Sequence, residues 1–106
     1  MKYCIRLYQD DNVATVLAHV KQGDELTVLD IRMQKAGVIR AAEDIPFAHK
    51  IGLREIVNRG IVIKCGERIG RATRPIPKGS YVHVHNVVSI EGTTAVKNSD
   101  GRGEAR

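Results

Sequence analysis

From Glu25 onward the chain never sustains an apolar pattern for long. Leu26 to Ile31, Val38 to Ala42, Ile51 to Val57, Ile61 to Ile63 and Tyr81 to Val88 are each cut short by glycine, proline or charged turns. This punctuation constrains the fold more than any other feature. Stretches so short suit a compact, turn-rich β domain of short strands. A length of 106 residues allows one such domain and not two. With 42% apolar and 27% charged residues, the composition is that of an ordinary globular protein and not of a wholly disordered chain.

The N-terminal quarter reads differently. Tyr3, Ile5 and Leu7 alternate with Cys4, Arg6 and Tyr8, the period of a half-buried strand. Asp10, Asp11 or Asn12 can cap a helix. Val13, Val16, Leu17 and Val20 then recur at the spacing of one apolar helix stripe, with Lys21 and Gly23 as a stop signal. The expected class is therefore mainly β with one N-terminal helix, that is α+β. His19 lies off the stripe, as a solvated surface histidine. Few apolar residues follow Glu91, so a folded domain over 1–96 and a disordered tail over 97–106 are expected.

No apolar run reaches the ~20 residues of a membrane span, and the start MKYCIRLYQDDN lacks a signal-peptide core. A cytoplasmic chain with no membrane partner is the expectation. Cys4 and Cys65 then read as reduced packing thiols. The net charge of +5, from 17 basic and 12 acidic residues, suggests an anionic partner. Nucleic acid is disfavoured, because Tyr3, Tyr8, Phe47 and Tyr81 are scattered and no helix carries a basic stripe. A small anionic substrate or an acidic protein surface fits the charge.

A weak internal repeat rises above this texture. With a constant shift of 31, Ala41 to Ile56 lies over Ala72 to Val87, so that Ile45-Pro46 meets Ile76-Pro77 and Ala48 meets Gly79. Ile51, Leu53 and Ile56 meet Val82, Val84 and Val87. Each copy reads as an Ile-Pro turn entering a strand, which predicts a pseudo-twofold pair of hairpin units.

Three histidines are candidates for chemistry. On a strand, His83 and His85 share a face, with their side chains based roughly 6.5 to 7 Å apart, and Val82 and Val84 take the core face. Two imidazoles so placed can ligate a metal or donate protons to a carboxylate; the plainer reading is decoration of a solvated face. His49 shares the parity of Ile51 and Leu53 and leans inward as a hydrogen-bonded structural histidine. Lys50 and Arg54 fall on the opposite side, as a surface stripe or as a carboxylate clamp. Arg68, Arg71, Arg74 and Lys78 read as solvated. A phosphate loop and a serine nucleophile elbow are both absent, and no carboxylate pairing can be established.

The ordered set Asp44-Ile45-Pro46-Phe47-Ala48-His49-Lys50-Ile51, Val62-Ile63-Lys64-Cys65-Gly66, Ile69-Gly70-Arg71-Ala72-Thr73 and Val82-His83-Val84-His85-Asn86 resembles the SAF-type domain of the altronate/galactarate dehydratase family. The resemblance runs from about Asn12 to Ser89. It departs at Ala48, where the family has glycine, at Gly52, where it has alanine, and at Cys65, where it has an aromatic. Ala48 argues against a left-handed turn there, since alanine enters that region only at a cost.

The resemblance implies a β-clip fold and a part in a metal-dependent hydro-lyase acting on an anionic sugar acid such as altronate or galactarate. It implies Fe2+ or Mn2+ held mainly by a large dehydratase subunit or domain, which becomes the expected partner; this chain would be an accessory subunit or N-terminal domain, inactive alone. His49, His83 and His85 become catalytic candidates, Lys50, Arg54 and Asn86 substrate-binding candidates, and His83 and His85 metal candidates. In some members the domain is a separate chain, as in the sulfolactate sulfo-lyase alpha subunit, which is one alternative. A non-enzymatic carbohydrate-binding or assembly module is the other.

Overall fold

A computed structural model describes residues 1–90, so the expected tail and the domain end at 96 lie outside the described residues. Nine strands form in chain order: β1 (Lys2–Ile5), β2 (Val13–Val16), β3 (Glu25–Leu29), β4 (Lys35–Arg40), β5 (Lys50–Gly52), β6 (Ile61–Lys64), β7 (Glu67–Ala72), β8 (Tyr81–Val82) and β9 (Val87–Ser89). They make a six-stranded sheet in the order β4-β3-β1-β2-β5-β8 and a three-stranded sheet in the order β6-β7-β9. Only β1 and β3 run parallel. No helix occurs among the described residues, and none is long and apolar enough to cross a membrane.

The expected N-terminal helix is therefore replaced. Val13–Val16 is β2, paired antiparallel with both β1 and β5. Val13, Val16 and Val20 are buried as the helical stripe required, but Leu17 is 40% exposed. The run is rich in β-branched residues, which lose rotamer freedom in a helix and pack well on a pleated surface. Both faces of β2 are used: Ala14 and Val16 join one core cluster with Cys4, Leu26, Ile39 and Ile45, whereas Val13 joins a second with Ile56, Val62, Ile76 and Val82. In β1 it is Cys4 that points inward, while Tyr3 is 41% exposed. Both cysteines are free, and burial pushes the Cys4 thiol up to about 12.

The repeat is real, and it is fourfold. Segments 16–24, 41–49, 52–60 and 72–80 are four arches with one bonding pattern. At their centres Val20 and Ile45 exchange both backbone hydrogen bonds, as do Ile56 and Ile76. Around the first pair, Val16 N donates to the His49 carbonyl and Ala41 N to that of Asp24; around the second, Gly52 N donates to Ser80 and Ala72 N to Gly60. The residue three beyond each centre is left-handed: Gly23 (φ 92°), Ala48 (73°), Arg59 (69°) and Gly79 (87°). Ala48 thus takes the conformation that its side chain disfavours. The arch demands it, because the Ala48 N–H must reach the Val16 carbonyl, at 2.9 Å. The four centres are at most 3% exposed, so each arch is pinned by an aliphatic side chain whose burial contributes about 1.5–3 kcal/mol.

A buried polar latch holds the smaller sheet to the larger. The Asp11 carboxylate accepts from the backbone N–H groups of Tyr8, Cys65 and Gly66, at 3.2, 2.8 and 2.8 Å. Asn12 donates to the Ile61 carbonyl and accepts from Ile63 N, both at 2.8 Å. The tight β6–β7 turn is thus tied to the end of the β1–β2 connection, where helix capping is expected from the sequence.

Candidate functional site

The second arch delivers His49 and Lys50 to the start of β5, and the fourth delivers Tyr81 to the start of β8. These two strands pair, with Ile51 opposite Tyr81 and Lys50 opposite Val82. After Val82 the chain leaves the sheet. Residues 83–86 form a turn, so His83 and His85 are not on a strand, and Val84 is not in the core but 79% exposed. Strand parity fails here because β8 is two residues long.

Asn86 makes the turn. It is 5% exposed; its Oδ1 accepts from His83 N at 3.0 Å, and its Nδ2 donates to the Tyr81 carbonyl at 2.9 Å. With both ends of its amide committed to the backbone, Asn86 shapes the loop from within. The loop folds His83 and His85 back onto Tyr81, whose ring stacks on His83 (centroids 5.6 Å apart, planes 9° apart) and meets His85 at 5.1 Å. His49 completes the cluster. Its Nδ1 lies 2.7 Å from the Tyr81 hydroxyl, and its ring meets His83 edge-on at 4.7 Å. The expected trio of histidines is brought together, and Tyr81, to which the sequence pattern assigns no role, is its hub. The Ile45/Ile76 shift held the signal: it sets Lys50 and Tyr81 at equivalent places after their arches.

Lys50 is half-buried beside this cluster; burial, then the Lys64 charge, lowers its pKa. Desolvation lowers that of His83, and the neighbouring charges of His49, Lys50 and His85 add to the effect. Lys50, Ile69, His83, Val87 and Ser89 line an open pocket of about 170 Å³. A larger depression of about 420 Å³ is lined by His19, Lys21, Asp44, Pro46 and Tyr81. Arg54 is exposed in the third arch and lines neither hollow.

Such a set can bind an anion and hand over a proton. A 2.7 Å bond to the Tyr81 hydroxyl occupies His49 Nδ1 and leaves Nε2 as the nitrogen able to exchange a proton. Depressed protonation keeps His83 neutral near pH 7, able to donate one hydrogen bond and accept another. The arrangement does not make a metal centre by itself. Among the described residues no three His, Cys, Asp or Glu side chains converge as a ligand set, and His49 Nδ1 is already engaged. His83 and His85 offer two donors at most.

A small all-β domain with paired arches and a histidine–tyrosine cluster at their junction is the class that these observations define. The family model for the altronate/galactarate dehydratase SAF domain matches residues 2–90, and the chain belongs to that family. It is 33% identical over 86 residues to the altronate dehydratase of Bacillus subtilis (strain 168), covering 81% of this chain but 16% of that enzyme. It is 34% identical over 79 residues to the (2R)-sulfolactate sulfo-lyase subunit alpha of Chromohalobacter salexigens, covering 74% of this chain and 84% of that subunit. The galactarate dehydratase (L-threo-forming) of Escherichia coli (strain K12) is 33% identical over 89 residues and is covered to 16%. The chain therefore spans about a sixth of the dehydratases and most of the separate alpha subunit.

Proposed function

We propose that this domain is the accessory, substrate-gripping part of a lyase that acts on a hydroxylated sugar acid or a related sulfonate, working against a larger polypeptide. The observation that carries this reading is the convergence of His49, Tyr81, His83 and His85 beside the half-buried ammonium of Lys50. The relatives support it, since each is a lyase or a lyase subunit by name and the dehydratases are some six times longer than this domain.

In the proposed reaction, a proton leaves the carbon next to a carboxylate and hydroxide leaves the neighbouring carbon. The products are an enol, which becomes the keto acid, and water; with a sulfonate substrate, sulfite leaves instead. Lys50 would neutralise the carboxylate. The imidazole of His83 and the second nitrogen of His49 would take up or return the proton. Fe2+ or Mn2+ held mainly by the larger polypeptide would supply stabilisation of the developing negative charge, to which His83 and His85 could add two ligands at most, since among the described residues no three His, Cys, Asp or Glu side chains converge. Arg68, Arg71, Arg74 and Lys78, all exposed, suit an acidic face on that polypeptide.

The test is a titration of the full chain with galactarate, altronate and sulfolactate, followed by backbone and imidazole NMR. Saturable shifts at His49, Lys50, Tyr81 and His83, weakened at least tenfold by Lys50→Met, support the reading. Spectra indifferent to all three acids would overturn it.

A further inference from the structure

Tyr81 is held at more points than its hydroxyl. Strand β8 pairs with β5 alone and forms one edge of the larger sheet. Gly52 N donates to the Ser80 carbonyl at 2.9 Å. By the alternation of an antiparallel pair, the N–H and C=O of Tyr81 therefore point away from β5, toward the open edge. Each of them meets a side chain. The carbonyl accepts from Asn86 Nδ2, and the N–H donates to Glu43 Oε2, both at 2.9 Å.

Glu43 comes from the second arch, 38 residues earlier in the chain. Its neighbour fixes its place: Ala42 N donates to the Gly79 carbonyl at 2.8 Å, which seats the start of the second arch on the tip of the fourth. The fit is close, since a β carbon at Gly79 would collide with the carbonyl of Arg40. At the far end of the same arch stands His49, whose Nδ1 meets the Tyr81 hydroxyl at 2.7 Å. One arch thus grips the tyrosine twice, by its main-chain N–H and by its phenol. Strand β8 is two residues long, so its own ladder offers few bonds to fix where the ring begins. A carboxylate accepting from a backbone N–H makes a short, charge-assisted bond suited to that task.

We infer that Glu43 is a positioning residue of the histidine–tyrosine cluster: its carboxylate sets the place of Tyr81 and, through the phenol, the orientation of His49. Glu43 lines neither hollow beside the cluster, so it acts through the tyrosine and not on a ligand. Its value to turnover rests on the lyase reading given above; the grip itself does not.

The experiment compares Glu43→Ala and Glu43→Gln with the native full chain, using long-range 1H–15N spectra of His49, amide hydrogen exchange and melting curves. In Glu43→Ala the Tyr81 N–H should exchange about tenfold faster or more, and His49 should pass from one tautomer to a mixture. The Cys65 and Gly66 amides, bonded to Asp11, should keep their protection. Glu43→Gln retains an acceptor and should restore the native His49 spectrum. A carboxylate with a merely structural role would lower the melting temperature and leave His49 unmoved. An unchanged His49 spectrum in Glu43→Ala overturns the inference, as does a Glu43→Gln variant no closer to native than alanine. Should Glu43→Ala fold poorly, Glu43→Asp, one methylene shorter, carries the test, with the same mixture expected. No acid is added, so failure here leaves the sugar-acid titration untouched, and a failed titration leaves the grip standing.

Discussion

Removing one oxygen from Tyr81 separates what its hydroxyl does from what its ring does. In Tyr81→Phe the ring contacts with His83 and His85 stay, while the 2.7 Å bond to His49 Nδ1 is lost. The bond is part-buried, so its loss should cost about 0.5–1.5 kcal/mol, the range of a typical hydrogen bond. In a domain of this size that is a fall of roughly 2 to 10 °C in melting temperature. The functional consequence should be larger than the structural one. Without the hydroxyl, the His49 ring is free to turn, and its two nitrogens exchange roles. Long-range 1H–15N spectra of the isolated chain read this directly: His49 should pass from one fixed tautomer to a mixture. If the domain serves a lyase as proposed and His49 moves a proton there, kcat of the complex with the larger polypeptide should fall by about 10²-fold or more. An unchanged His49 spectrum, or turnover that survives its change, would refute the assignment of Tyr81 as the residue that positions this imidazole.

Three further outcomes are expected. Asp11→Ala strands three N–H groups at the latch and should lower stability by about 2–4 kcal/mol, with Asp11→Asn milder, as measured by urea unfolding. Ala48→Gly relieves the left-handed backbone at φ 73° and should raise stability by about 0.5–1 kcal/mol, a gain absent if the strain is illusory. The folded-state pKa of His83 lies below its unfolded value, so its contribution to stability is complete above about pH 6.5 and is lost as the pH falls through the lowered value. Between pH 7.5 and 5 the native chain should therefore lose more melting temperature than His83→Ala does; an equal or greater loss in the variant contradicts the shift.

Much of this was legible in the residues, and the misses have physical causes. The β texture, the Ile45/Ile76 repeat and the family motifs could all be read directly. The helix could not be excluded, because Val13, Val16 and Val20 are buried at a spacing that a helix and a strand-then-arch both satisfy. Two of the four arches escaped notice because they lack the Ile-Pro pair: their centres are Val20-Lys21 and Ile56-Val57. The histidines were grouped correctly for the wrong reason. It is the amide of Asn86, and not strand parity, that returns them to Tyr81.

The arches are joined almost wholly through main-chain atoms, and this leaves evolution unusual latitude. A hydrogen bond from Val16 N or Gly52 N is indifferent to the side chain it carries, so an arch asks only for an aliphatic centre and a residue that tolerates left-handed backbone. The side chains at the outward tips, Gln22, Phe47, Asn58 and Lys78, are exposed and make none of the hydrogen bonds that join the arches. Chains that share only about a third of their residues with this one can thus still meet the few demands an arch makes.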